Sequence, residues 1–429
     1  MDSIANQEVP FAEQFKLFVG FDWASDHHDV VAVEASGQIV LELRFEDTAE
    51  GWAHLRQQLA QRLGADLSQA AVAVETCNGP AVERLLEMGC VVYPLNPKAA
   101  ERYRDRKSPV GGKSDPLDAW SFSDALRTDG HGWRRLVSDD PATQELRILC
   151  RDEVHLIQQR TALVCQLKAA LHEYYPAALE AFDDYTSPGF WAFVVAFPTP
   201  AQLVKAGQRR WEKFLHVHKL YRPETFAKRL EIFAGAQGLA GTRAVTNAKS
   251  RLALAIVAQL QVLERQLDAY REAIAEAFGR HPDNDIFGSL PGVGPKLGPR
   301  LLSELGDQRQ RFSDSQALQC YAGSAPVTEQ SGKKRWVHFR TGCNKHLRAA
   351  VHLWSNLSRE KCAWAQSYYQ HKRDQNMSHA CALRCLAQRW LKILWKMWQT
   401  HTAYNEALHT QNQVRHGSWV LALPQGEPC

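Results

Sequence analysis

The sequence has 429 residues, of which 45% are apolar and 23% are charged. This length predicts about three domains at roughly 150 residues each, and the composition excludes a disordered or collagen-like chain. The longest apolar run, residues 190–197, is too short to cross a bilayer, and no secretory leader is recognisable. Ten cysteines without a C-x-x-C pair favour reduced thiols over a disulfide framework. We therefore predict a soluble, cytoplasmic protein with no membrane partner.

Charge is unevenly distributed along the chain, although the net charge is only +4. Residues 281–429 contain 19 Lys and Arg against 10 Asp and Glu. Between residues 331 and 400, 14 basic residues stand against 2 acidic ones and alternate with Trp and Tyr. This pattern favours a surface that binds a polyanion such as a nucleic acid. The alternative is a solvated helical face over an aromatic core.

The first part of the chain predicts a mixed β-sheet. Short β-rich segments come first, and strands then alternate with helices, which is typical of a meander followed by α/β crossovers. This order matches the ribonuclease H type of fold. The predicted strands are 16–23, 28–33, 38–44, 69–75 and 90–95, and the predicted helices are 50–63 and 81–88.

Long helices follow residue 141. One apolar stripe runs from Leu146 to Tyr174 and a second runs from Leu252 to Phe278, with steps close to the heptad spacing. These two helices either pair within the chain or form a homodimer. The region 180–245 between them reads as short, irregular helices. We divide the chain into domains at 1–140, 141–283 and 284–429, the last mainly helical.

Four acidic residues are candidate metal ligands. Asp22 and Glu75 each end a buried strand, where an unpaired acid is costly. Asp115 and Asp118 lie three residues apart, on one face of a helix. If the two strands are neighbours, all four carboxylates converge and fit two Mg²⁺ ions of the kind used in phosphoryl transfer.

The helix acids and Asp22 also have a structural interpretation. Asp115 is followed by a proline and a further acid, so it fits the N-cap of a helix. Asp22 has two histidine neighbours, His27 and His28, with which it could form an ion pair.

Basic residues precede the helix acids, at a suitable place for phosphate contacts. These residues are Arg102, Arg104, Arg106, Lys107 and Lys113.

Two features of the last domain suggest DNA chemistry. The segment 290–298 has the G-x-G form of a helix-hairpin-helix, in which Gly292, Gly294 and Lys296 would contact phosphates. A plain helix–helix turn is the alternative. Downstream, Ser331 precedes a glycine and three cations that would favour its attack on a phosphodiester. Most such serines are turn residues, and the competing serines are Ser289 and Ser324.

The combination of these motifs resembles the DEDD-type transposases of insertion elements, which are related to the Piv DNA invertases. The resemblance covers most of the chain. It rests on GFDWASDHHDV, AVETCNGP, NPKAAERYRDRKSPVGGKSDPLDA, LPGVGPKLG, RFSDSQALQCYAGSAPVTEQSGKKR and GCNKHLRAA.

The resemblance implies a RuvC-like domain with the ribonuclease H fold, a dimerising coiled coil and a serine transposase domain. Asp22, Glu75, Asp115 and Asp118 would bind two Mg²⁺ ions, and Ser331 would form a transient phosphoserine bond to DNA. Its best-described members are guided by a structured bridge RNA and act on element ends and target DNA, which predicts a cytoplasmic location at the bacterial nucleoid. In the family the two domains form composite sites across subunits within a dimer of dimers. The cations expected to hold the nucleic-acid backbone are Lys333, Lys334, Arg335, Arg340, Lys345 and Arg348.

Two other functions fit the same residues. In a metal-dependent endonuclease or junction resolvase, the tetrad would activate water and Ser331 would be a turn residue. In a non-enzymatic nucleic-acid binder, the acids would be helix caps and ion pairs. The recombinase is favoured because a pure binder has no use for Asp22 and Glu75 at buried strand ends.

Overall fold

A computed structural model of the chain describes residues 10–77, 79–107 and 114–418. The chain divides into two compact units, Met1–Ser138 and Asp139–Cys429. The finer division into three domains stays a prediction. Within the described ranges, no helix is long and apolar enough to cross a membrane.

The first unit contains five strands and five α-helices among its described residues. In chain order they are α1 Phe11–Gln14, β1 Leu17–Trp23, β2 His27–Val33, β3 Ile39–Glu46, α2 Ala49–Leu63, β4 Ala70–Val74, α3 Pro80–Glu87, β5 Val91–Pro94, α4 Pro97–Lys107 and α5 Asp115–Asp129.

The five strands form one mixed sheet in the order β3-β2-β1-β4-β5. β1, β2 and β3 pair antiparallel as a meander, whereas β4 and β5 run parallel to β1. The parallel pairings follow from the crossovers through α2 and α3, as the sequence pattern predicts. The predicted mixed sheet is confirmed.

Each face of the sheet is buried under helices. Leu17, Val19 and Phe21 of β1 point to the face that packs against α2 and α3. Phe18, with Ala71 and Ala73 of β4, points to the opposite face, which packs against α5. This alternation follows from the two-residue period of a strand, and it places every second residue of β1 beneath α5.

The second unit contains fourteen α-helices and one β-hairpin among its described residues. They are α6 Pro141–Tyr174, α7 Pro176–Glu180, α8 Pro188–Ala196, α9 Pro200–Ala206, α10 Gln208–Val217, α11 Pro223–Ala234, α12 Arg243–Arg280, α13 Asn284–Gly288, α14 Gly294–Leu305, α15 Ser315–Tyr321, β6 Val327–Ser331, β7 Lys334–His338, α16 Lys345–Ser358, α17 Ala363–Asp374, α18 His379–Thr400 and α19 Glu406–Arg415.

The two long helices, α6 and α12, pack against each other within the chain. They run antiparallel, because the ion pair between Lys249 and Glu173 lies near one end and the hydrogen bond between Thr143 and His281 lies at the other. The two helices therefore pair within the chain, which is one of the two arrangements that the sequence left open. The homodimer stays a prediction. Leu252 was wrongly assigned to the buried stripe: its side chain is 46% exposed, and Ala253 is fully buried instead.

Short helices and aromatic side chains fill the region between α6 and α12. Helices α8 to α11 pack Phe190, Phe193 and Phe233 against the ends of the long pair. A separate core in the last part of the chain buries Trp354, Trp390 and Trp398. Much of the tryptophan content of the basic block is therefore structural, with Trp336 a notable exception at 49% exposure.

Candidate metal centre and serine hairpin

The two strand-end acids of the first unit lie at the same edge of the sheet. β1 and β4 are parallel neighbours, and Phe21 pairs with Val74. Asp22 and Glu75 come directly after this pair in the sequence, so both lie at the carboxyl ends of the paired segments. On the other side of β1, Asp22 pairs directly with Asp29 of β2. Directly opposed residues share a face, so Asp29 joins Asp22 on the face beneath α5.

Helix α5 approaches this face closely because β1 has a glycine there. A Cβ atom on Gly20 would lie 1.8 Å from the carbonyl oxygen of Ala119 in α5. Gly20 stands two residues before Asp22, on the same face of the strand. Asp115 and Asp118 occupy the first turn of α5, so this contact brings the start of the helix over the carboxylates of the sheet.

The environment of Asp22 reflects this convergence of acids. Burial, followed by repulsion from Asp118, Asp115, Glu75 and Asp29, raises the pKa of Asp22 from 3.8 to about 7. All four predicted ligands therefore belong to one electrostatic cluster, together with a fifth acid. A carboxylate with several acidic neighbours is a suitable oxygen ligand for a divalent cation, because the charge of the cation would offset their mutual repulsion.

Cationic side chains already contact three of these acids. Arg44 makes a bidentate pair with Asp29, with N–O distances of 2.8 to 3.1 Å, and its NH2 group lies 3.4 Å from Asp115. Arg104 donates to both carboxylate oxygens of Asp118, at 2.8 and 3.1 Å. Asp29 and Asp118 are almost fully buried, so these arginines neutralise charges that would otherwise be costly.

Neither the helix cap predicted as an alternative at Asp115 nor the histidine pair predicted as an alternative at Asp22 is observed. The N-cap of α5 is Ser114, and Asp115 is the first helical residue, so it does not cap the helix. The Asp22 carboxylate has neither histidine as its partner. His28 lies 3.5 Å from Asp47, and the closest acids to His27 are Asp26, Asp29 and Asp115.

Across the described residues, one group of three His, Cys, Asp or Glu side chains has ligand atoms all within 4.8 Å of one another: His27, Asp29 and Asp115. The Nε2 atom of His27 is 3.6 Å from the Oδ2 atom of Asp115. This candidate metal site shares Asp115 with the predicted tetrad. Sequence analysis missed Asp29 and His27, although an acid within the apolar strand HHDVVAV is an available signal.

The basic residues before α5 have different environments. Arg104 pairs with Asp118, as described above, and Arg106 pairs with Asp124 at 2.6 Å. Arg102 is exposed and stays a predicted phosphate contact. Lys113 and the side chain of Lys107 lie outside the described residues.

In the second unit, the G-x-G segment forms the turn between α13 and α14. Gly292 has a φ of +79°, and a Cβ atom there would lie 2.9 Å from the backbone of Leu357 and Ser358, so this glycine serves close packing. Gly294 has a φ of +54° and is open to solvent, as is Lys296. The turn geometry fits the predicted motif, and binding at this turn stays a prediction.

Ser331 lies at the turn of the hairpin formed by β6 and β7. It pairs with Lys334, and the two-residue turn begins with Gly332, whose φ of +56° suits the first position of a type II′ turn. Ser331 is exposed, and none of the described side chains or backbone groups takes a hydrogen bond from its hydroxyl. By contrast, Ser324 donates to a backbone carbonyl and Ser289 accepts the amide of Tyr404.

Two of the arginines predicted to contact nucleic acid instead hydrogen-bond to backbone carbonyl groups next to this hairpin. Arg340 donates to the carbonyl oxygens of Ala325 and Pro326. Arg348 contacts the carbonyl of Arg340, and its guanidinium lies 4.6 Å from the ring of Phe339. Four other cations remain exposed, and these are Lys333, Lys334, Arg335 and Lys345.

Comparison with known proteins assigns the chain to a family. Residues 19–176 match the family model of the DEDD transposases of IS110, and residues 284–370 match that of the transposase IS116/IS110/IS902 family. The chain is 35% identical to the "Mini-circle putative transposase for IS117" of Streptomyces coelicolor over 401 residues, which is 92% of this chain and 96% of the relative.

Two further relatives are proteins of insertion elements. The 44.8 kDa protein of IS116 from Streptomyces clavuligerus is 26% identical, over 89% of this chain and 94% of the relative. The 42 kDa protein of IS900 from Mycobacterium paratuberculosis is 29% identical, over 70% of this chain and 74% of the relative. These matches exclude the interpretation as a non-enzymatic binder. The chain belongs to the IS110/IS116 family of insertion-element transposases and is an enzyme that acts on DNA.

Proposed function

We propose that this transposase breaks and rejoins DNA strands through a phosphoserine intermediate on Ser331. The observation that carries the proposal is the free Ser331 hydroxyl at the tip of an exposed, basic hairpin. Of the three serines considered, the other two use their hydroxyl groups in structural hydrogen bonds. A nucleophile must reach phosphorus, and only an uncommitted hydroxyl is available for that attack.

The proposed reaction conserves the energy of the phosphodiester bond. The Ser331 oxygen attacks phosphorus and its proton is lost to solvent. The bond from phosphorus to one DNA oxygen breaks, and that oxygen takes up a proton. In the second step a DNA hydroxyl attacks the phosphoserine, and the Ser331 oxygen leaves with a proton. Lys333, Lys334 and Arg335 would stabilise the added negative charge of the phosphorane.

We further propose that Asp22, Glu75, Asp115 and Asp118 hold Mg²⁺, with Asp29 supporting Asp22. The donor set consists of oxygens, which Mg²⁺ prefers, and the mutual repulsion around Asp22 gives a reason for a cation to bind. A bound metal would supply Lewis-acid stabilisation of the transferring phosphoryl group. Arg44 and Arg104 would release Asp115 and Asp118 on metal binding and then be available to phosphate oxygens.

The finer assignments of fold and assembly rest on the family resemblance. The strand order β3-β2-β1-β4-β5 supports a ribonuclease H-like, RuvC-like domain. The exposed Lys333, Lys334, Arg335 and Lys345 are suited to the phosphates of DNA or of a structured guide RNA. A dimer of dimers, with α6 and α12 in a dimerising role, completes the proposal.

A metal-dependent endonuclease without a covalent intermediate is the second candidate. It is favoured by one observation: the carboxylate cluster lies wholly within the first unit and needs no serine to activate water. This candidate predicts hydrolysed ends, and it predicts that Ser331 can be replaced without loss of cleavage.

The two candidates are distinguished by the products formed with Mg²⁺, DNA carrying the element ends and RNA transcribed from the flanking sequence. We expect joined strands from the wild-type protein, none from Ser331→Ala, and unchanged DNA binding by that variant. Ser324→Ala is the matched control and should join strands. Cleavage to hydrolysed ends by Ser331→Ala at the wild-type rate would establish the endonuclease and reject the phosphoserine.

A further inference from the structure

The hairpin of β6 and β7 projects from the second unit with both faces exposed. Every residue from 328 to 339 is exposed, although a two-stranded ribbon is at best marginally stable without a packed face. Three large apolar side chains lie on it, at exposures of 49% for Trp336, 61% for Val337 and 49% for Phe339. An exposed aromatic ring such as that of Trp336 on an exposed ribbon indicates a binding surface.

Trp336 lies on the same face of this hairpin as Ser331. Ser331 pairs with Lys334, and Glu329 pairs with Trp336. Paired residues share a face, and residues two apart on one strand do so as well. Trp336 therefore lies about 7 Å along the ribbon from Lys334 and the serine, on the same side. Val337 points to the opposite face.

The side chain of Trp336 makes no ring–ring contact, cation–π contact or hydrogen bond with the described part of the chain. Phe339 differs, because the guanidinium groups of Arg348 and Arg384 lie 4.6 and 5.1 Å from its ring. Phe339 thus anchors the base of the hairpin, whereas Trp336 is free for a partner.

The charge of the hairpin identifies the partner as a nucleic acid. Lys333, Lys334 and Arg335 surround the turn, and the single acid of the two strands, Glu329, lies 3.4 Å from His338. Cations beside an exposed aromatic ring are the combination that binds a phosphate backbone and stacks an unpaired base. Because the chain is a DNA transposase, we take the partner to be DNA.

We propose that Trp336 stacks on a base of the DNA strand next to the phosphodiester that Ser331 attacks. Its position next to that phosphodiester rests on the proposed function of Ser331, whereas the stacking itself does not. Stacking accepts any base, so Trp336 would position the strand and contribute affinity without reading its sequence.

The stacking is tested by a binding cycle in the Ser331→Ala background without divalent metal, so that neither strand transfer nor metal-dependent cleavage occurs. The full-length chain is titrated with a labelled thymine oligodeoxynucleotide and with an abasic strand of equal length. We expect Trp336→Ala to weaken binding of the thymine strand about 5- to 100-fold and to leave the abasic strand unaffected. Trp336→Phe should retain most of the affinity. Val337→Ala, on the opposite face, is the matched control and should bind both strands normally.

Equal losses on the thymine and abasic strands would overturn the proposal, because they would mean a disturbed hairpin rather than a lost stack. Unchanged binding by Trp336→Ala would overturn it as well. A shift in oligomeric state of Trp336→Ala without DNA would also overturn it, because it would assign the surface to a second copy of the chain.

With Ser331 intact, Trp336→Ala should slow formation of the protein–DNA adduct, and Trp336→Phe should form it close to the wild-type rate. If the wild-type protein forms no adduct, the proposed function of Ser331 fails. The placement of the stacked base next to the attacked phosphodiester then fails with it. The binding cycle, which uses a protein without Ser331, still decides whether Trp336 stacks.

Discussion

Replacing Asp22 by Asn should stabilise the metal-free protein while abolishing its activity. The pKa of Asp22 is raised from 3.8 to about 7, so the folded chain holds the proton more tightly than the unfolded chain. The charged carboxylate therefore costs stability progressively as pH rises from about 4 to about 7, and the cost is constant above that range. Asn carries no charge and escapes this cost at every pH.

The expected gain in the stability of Asp22→Asn follows from the pKa shift of Asp22. About three pKa units correspond to roughly 4 kcal/mol, but Asp22 is only partly buried and water screens its charge. We therefore expect about 1 to 2 kcal/mol at pH 8, which is roughly a 5- to 30-fold change in the equilibrium. At pH 4 the difference between the variant and wild type should be close to zero.

Hydrogen exchange of the full-length chain measures this locally, in peptides that cover β1 and β4. Without metal, Asp22→Asn should exchange more slowly than wild type at pH 8, and Mg²⁺ should protect wild type but not the variant. The control is Glu42→Gln, which removes an exposed carboxylate from the same sheet. Exchange in Asp22→Asn that is as fast as in wild type or faster at pH 8 would contradict the prediction. Equal slowing of exchange at pH 4 and at pH 8 would contradict it as well.

Two packing predictions follow from the same structure. Gly20→Ala should lower the melting temperature and weaken Mg²⁺ binding, because the added methyl group would overlap the backbone of α5. The control is Gly132→Ala, which should do neither, because a Cβ atom there meets no atom within 4 Å. Leu260→Ala, at a fully buried site of α12, should cost about 2 to 5 kcal/mol in denaturant unfolding. Leu252→Ala should stay within about 0.5 kcal/mol of wild type, and a similar loss at both leucines would contradict the assigned face.

The sheet and its acids were predictable from the sequence because their signals are local. The strands β1 and β4 are short, continuously buried apolar runs, and these runs and the acids at their ends, Asp22 and Glu75, can be read from a few residues. Their convergence followed from one assumption, that the two strands are parallel neighbours, and the strand order bears this out.

Other features of the site depend on contacts between distant segments. Asp29 is opposite Asp22 only because the first two strands pair in that register, and Arg44 reaches it from a third strand. Likewise, Arg104 is indistinguishable in sequence from a phosphate-binding arginine, whereas in the fold it neutralises the buried Asp118. Such pairings follow from the register of the sheet and the placement of α4, neither of which a short motif encodes.

The exposed face of a long helix was also hard to assign. Leu252 fits a heptad stripe by spacing, but α12 turns the neighbouring alanine toward the core, since a step of one residue rotates the side chain by about 100°. Arg340 and Arg348 show a similar limit, because charge alone does not distinguish a cation that braces a loop from one that contacts phosphate.

The central claim is that Ser331 becomes covalently bonded to DNA. Wild-type protein would be incubated with Mg²⁺, flanking RNA and labelled element DNA, denatured and digested, and its peptides analysed by mass spectrometry. We predict a nucleotide adduct on the peptide containing Ser331, absent from Ser331→Ala and from Asp22→Ala. An adduct on another residue, or cleaved DNA without any adduct, would contradict the account.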